Sequence, residues 1–75
     1  MKATVKRITR GEYFIVFPVR SHPRGAIGFN LIGGDDQWQL FNYKDTEINC
    51  WTTKRSLVEY LEDRSEAQLL ALNEA

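Results

Sequence analysis

The hydrophobic period of this chain changes at Thr53, and that change limits the folds open to it. Upstream, apolar residues alternate with a period of two, the signature of strands. Downstream they recur at about 3.6, with Val58, Leu61, Leu69 and Leu72 on one helical stripe and Ser65 between them. Strands followed by a helix give the α+β pattern, in which an antiparallel sheet packs one face against the helix.

Turn chemistry divides the first part into two hairpins plus a short strand. "KATVKRI" and "EYFIVFPV" are rich in β-branched and aromatic residues, and Gly11 lies in the "TRGE" between them. "AIGFNLI" and "QWQLFNY" flank "GGDD", and "EINCW" follows "KDT". The sequence thus predicts a sheet of four to five strands, approximately 2–9, 12–19, 26–32, 37–43 and 47–51, and one C-terminal helix over 54–73. Thr53 and Ser56 are alternative caps for the helix start. A second S-x-x-Q at Ser65 to Gln68 could restart the helix after "EDR", but the continuous stripe favours one helix. Gly28 interrupts the third strand and predicts a bulge or a close neighbour.

The 75 residues suit a single small domain, which buries about 60–65% of its unfolded surface. Cys50 has no intramolecular disulfide partner, and one Cys with one His falls short of a four-ligand zinc site. No segment approaches the length of apolar chain that spans a membrane, and "MKATVKRITR" lacks the apolar core of a signal peptide. The expectation is a soluble, cytoplasmic protein without metal or cofactor. Cys50 is expected to point inward beside Ile48 as a small core residue.

A net charge of zero conceals a division along the chain. Residues 1–30 carry six basic groups against Glu12, net +5, while residues 31–75 carry four basic groups against nine acidic ones, net −5. Such a split serves a charged partner or a second copy of the chain, or it is neutralised where basic strands lie beside an acidic helix.

The stretch "VRSHPRGAIGFN" places Arg20 and Arg24 around His22 and Pro23, between two apolar runs. Its Gly25-x-x-Gly28 precedes a strand rather than a helix, so it lacks the phosphate-cradling arrangement of nucleotide-binding loops. Two arginine forks on one loop nevertheless suit an anionic surface. His22 and Cys50 lack the partners that general-base or nucleophilic catalysis needs, so no catalytic residue is assigned. Asp35 and Asp36 read as turn residues with a weak claim to a cation.

Aromatic residues raise a further question, because one helix covers only one face of an open sheet. Trp38, Trp51, Tyr13, Tyr43 and Phe14 either form a contact patch, stack unpaired bases, or are buried by a sheet that curls on itself. In hydrophobic rhythm, "WQLFNYKDTEINCWTTKRSLVEYLE" is similar to the three-stranded sheet plus helix of integrase-arm DNA binders over about a third of the chain. The acidic balance of residues 35–47 departs from the basic sheets of that group, and no diagnostic residue is shared, so no family follows from it. Small size without catalytic residues also resembles accessory proteins of phages, prophages and plasmids.

The sequence reading is therefore a non-enzymatic protein-interaction module of the inhibitor or adaptor kind, including a homodimer. Its contact candidates are Arg20, Arg24, Trp38 and Tyr43, with Glu59, Glu62 and Asp63 as an acidic helical surface. The second reading is nucleic-acid binding through Lys2, Lys6, Arg7 and Arg10, extended by the Arg20/Arg24 loop.

Overall fold

A computed structural model describes residues 1–34, 37–51 and 53–75. It contains β1 (Thr4–Thr9), β2 (Glu12–Pro18), β3 (Ala26–Gly34), β4 (Gln37–Phe41) and β5 (Glu47–Trp51), then α1 (Lys54–Glu62) and α2 (Glu66–Glu74). The five strands form one antiparallel sheet in the order β1-β2-β3-β4-β5, each paired with its sequence neighbours. The strand count, the antiparallel sheet and the C-terminal helical region match the sequence pattern; the single helix does not.

Two separate caps explain the second helix. Thr53 accepts the Ser56 amide at the start of α1, which settles the choice of cap. Ser65 and Gln68 then close a reciprocal box at 3.2 and 2.9 Å: the Ser65 hydroxyl accepts the Gln68 amide, and the Gln68 carbonyl accepts the Ser65 amide. These contacts satisfy orphan N–H groups that a continuing helix would have used internally, so the chain restarts at Ser65 although the apolar stripe runs on. Leu57, Leu61 and Leu69 still face the same core.

Strand ends also move. β3 runs to Gly34, whereas β4 stops at Phe41 instead of reaching 43. Asn42 ends it: its Oδ1 accepts the amides of Lys44 and Thr46 at 2.9 and 3.0 Å, drawing the chain into a turn and out of the ladder. At the first hairpin Thr9 pairs with Glu12, leaving Arg10 and Gly11 as the turn. Gly11 has φ +79°, and a Cβ there would lie 2.6 Å from the Gly33 carbonyl oxygen, so the position needs glycine twice over.

Cross-strand partners share a face, so the register sorts the side chains. Ile15, Phe17, Val19, Ile27, Phe29, Leu31 and Leu40 lie under the helices and, with Leu57, Leu61 and Leu69, form the buried core. Phe17 and Phe29 meet edge to face at 6.2 Å. Cys50 departs from the inward position expected of it. It pairs with Gln39 and is exposed on the opposite face, while the register shift beside Leu40 lets Ile48 pack on the core instead.

Candidate docking surface

The helices pack on β3, β4 and β5, all from one side. The other side of the sheet is open, and the register lays side chains across it in rows. One row is Lys6, Phe14, Asn30, Phe41 and Glu47; the next is Thr4, Val16 and Gly28. Phe14, Val16 and Phe41 are half-buried by their neighbours alone, and Ile32, on the row beyond, is exposed. Gly28 has the close neighbour predicted and no bulge. It pairs regularly with Val16, and a Cβ there would lie 2.3 Å from Cζ of Phe14, so the Phe14 ring leans across the space that glycine leaves.

At one end this open face deepens into a pocket of about 600 Å³. Phe14, Val16 and Asn30 contribute its sheet wall, and Arg24, Tyr43 and Glu74 come from a loop, a turn and the end of α2. Two asparagines position that rim. Asn42, only 1% exposed, donates through Nδ2 to the main-chain oxygens of Leu72 and Ala75 while its Oδ1 holds its own turn, so its side chain ties the Tyr43 turn to α2. Asn73 donates to the Gly28 carbonyl at 2.8 Å. β4 begins its pairing with β3 only at Asn30, so the Asn73 amide takes up a β3 carbonyl that β4 does not reach.

The loop before β3 is fixed by its own backbone. Val19 donates to Gly25, His22 to Val19, and Gly25 to His22, at 2.9–3.1 Å. His22 Nδ1 accepts the Arg24 amide at 3.2 Å, so the imidazole braces the loop. Arg24 thereby reaches the pocket rim; Arg20 is exposed but not part of that lining.

The aromatic candidates divide between the two sides. Tyr13, Trp38 and Trp51 are half-buried against the core on the helical side. Trp38 lies 5.8 Å from Tyr13 between ring centres, Trp51 lies 5.0 Å from Tyr60, and Lys54 sits 3.9 Å above Tyr13. Trp38 thus has structural neighbours on the face opposite Arg24 and Tyr43. Tyr43, 63% exposed, stays free at the rim. The sheet order does not close β1 onto β5, so curling does not bury the open side.

The acidic candidates Glu59, Glu62 and Asp63 all lie on α1 or its C-terminal cap, ahead of the helix break. Glu59 pairs with Arg55 at 3.0 Å on α1. Glu62 takes the Ala3 amide on Oε2 at 2.9 Å, and its carbonyl takes the Met1 amine, so this residue secures the start of the chain. The Asp63 amide closes the end of α1, and Glu66 opens α2. Lys2, Lys6, Arg7 and Arg10 are all exposed, and Arg55–Glu59 is the sole side-chain ion pair among the described residues. Among the described residues the two charge halves do not neutralise each other by direct pairing.

Among the described residues, no three His, Cys, Asp or Glu side chains converge as metal ligands, and no helix is long and apolar enough to cross a membrane. Asp35 and Asp36, the weak cation candidates, lie outside the described residues. Comparison with protein families, with curated proteins and with solved structures found no match. Sequence reasoning missed Asn42 and Asn73, which build the pocket rim. "FNYKD" carried a turn signal for Asn42, but nothing local marks Asn73, whose partner is 45 residues away.

Proposed function

We propose that this chain is a non-enzymatic docking module that receives a segment of another protein on its open sheet face, anchored at the Arg24–Tyr43 pocket. The observation that carries this reading is the one-sided cover of the sheet: Phe14, Val16, Phe41 and Ile32 stay on the uncovered side, next to a concave end with an arginine and a tyrosine on its rim. Arginine and tyrosine are the side chains that most often dominate interface energetics, and apolar floors with polar rims suit them. Nothing in the proposal requires a chemical step, and His22 Nδ1 is engaged by the Arg24 amide within its loop.

The test is comparative affinity capture from lysate of the source organism, with nuclease, using the native chain and an Arg24→Glu/Tyr43→Ala variant. Proteins retained by the native chain and lost from the variant are the expected result. Identical recovery by both would remove the pocket from the reading.

A second reading is favoured by one observation, the exposure of Lys2, Lys6, Arg7 and Arg10 with no ion-pair partner among the described residues. These residues would contact nucleic-acid phosphates, and affinity would then fall steeply between 50 and 200 mM salt through counterion release. Binding that ignores salt, or is absent at both concentrations, would end that reading.

A further inference from the structure

The two edges of the sheet are dressed differently, and the difference points to a second surface independent of the open face. All six residues of β1 are exposed, on both sides of the sheet. The helices make their main contacts with β3, β4 and β5, so β1 lies beyond them at the sheet edge with β2 as its one strand neighbour. The α1 helix reaches this edge only through Glu62, which holds Met1 and Ala3 ahead of the strand. Its outer edge offers backbone N–H and C=O groups with no strand to receive them. Four cations, Lys2, Lys6, Arg7 and Arg10, lie along or next to this strand, and Val5 and Ile8 are 39% and 52% exposed between them.

We propose that β1 receives an extended acidic segment of a partner protein as a sixth strand. Strand addition supplies main-chain hydrogen bonds, and side chains directly across the new pair supply selectivity. Lys6 lies on the open side beside Phe14, and Arg7 lies on the helical side beside Tyr13. The complement of this pair is two consecutive acidic residues, one for each side of the added strand. Val5 calls for a small apolar residue next to them. The recognised sequence is thus an acidic pair flanked by β-branched residues.

Charge decides among the occupants. A second copy pairing β1 to β1 would bring Lys6 and Arg7 against the same cations. Pairing β1 to β5 of another copy offers one acidic residue in the strand, Glu47, and leaves an edge free at each end. Nucleic acid would use the cations but leave the edge hydrogen-bonding groups of β1 unused.

The probe is the labelled peptide Ser-Thr-Val-Glu-Glu-Val-Thr-Ser, which reads the same in either strand direction. Three comparisons accompany it: a version with both Glu replaced by Lys, a version with both Val replaced by Pro, and a single-stranded oligothymidine. The proline version keeps the charge but cannot form the ladder. Saturable binding of the acidic peptide, about tenfold tighter than either altered peptide, is expected, with slowed amide exchange across Thr4–Thr9. The Lys6→Glu/Arg7→Glu variant should lose about tenfold in affinity, and Lys6→Gln/Arg7→Gln a smaller factor, with circular dichroism unchanged in both.

Equal binding of the proline peptide would reduce the effect to charge attraction and overturn the proposal. So would tighter binding of the oligothymidine, absence of peptide binding, or exchange protection of β1 that rises with concentration of the protein alone. The Arg24→Glu/Tyr43→Ala variant should bind the peptide normally. Failure at β1 would leave the open-face reading intact, and failure at the pocket would leave this one.

Discussion

One side of the sheet rests under two helices and the other faces solvent, although both sides of β2 are apolar. Ile15 and Phe17 on the covered side are fully buried, and Phe14 and Val16, which alternate with them on the open side, are half-buried. The same strand therefore holds two kinds of hydrophobic residue, one set that folds the chain and one left over. The first kind contributes in proportion to the surface it removes from water. The second contributes less to stability, and its retention is what a binding face requires.

The contrast breaks most visibly at its buried extreme. Phe29→Ala on the covered side removes a ring that packs edge to face on Phe17 and should cost about 3–5 kcal/mol, enough to unfold much of a domain this small. Val16→Ala on the open side should cost about 1 kcal/mol, because a half-buried side chain has half as much to lose. Urea unfolding of the two variants measures both. Similar losses would mean that the open side is as much a part of the core as the covered side.

Next in size is Asn42→Ala. The side chain makes four hydrogen bonds, two to its own turn and two to the end of α2, at almost no exposure. Removing it strands several main-chain groups, for a loss of about 2–4 kcal/mol. Asn73→Ala frees one carbonyl, Gly28, and should cost about 1–3 kcal/mol. Thermal melts rank the two, and a reversed order would show that the edge of β3 matters more than the docking of α2.

The sheet was legible in the sequence because its signals are local. Gly11 marks the first turn, and the alternation in "EYFIVFPV" declares two apolar faces. The break between helices was half legible: Ser65 and Gln68 were visible as a cap, but the apolar stripe argued the other way, and a local cap prevailed because it satisfies backbone groups at once. Asn42 and Asn73 were not legible, since their partners are set by how the chain folds back. Trp38 shows the limit of residue type as a guide: its position against Tyr13 and over Gly33 follows from register, which the residue type does not reveal. Ser65→Ala sharpens this lesson: it should cost about 1 kcal/mol, lowering Tm by about 4–8 °C. An unchanged melting curve would show that packing of Leu57, Leu61 and Leu69, not the cap, divides the helix.

The smallest expected effect carries the functional side of the comparison. Arg24→Glu/Tyr43→Ala alters two exposed side chains, neither of which makes a side-chain hydrogen bond or ion pair among the described residues, so stability should stay within about 0.5 kcal/mol of the native value. Their main-chain neighbours hold the loop and the turn without them: His22 accepts the Arg24 amide whatever side chain follows, and Asn42 holds the turn around residue 43. A melting temperature lowered by several degrees would place these residues with the folding side chains, and the division between the two sides would lose its meaning. An unchanged one, together with lost capture of partner protein, would separate what the rim does from what the core does, because side chains that cost nothing to remove from the free protein can act only on something outside it.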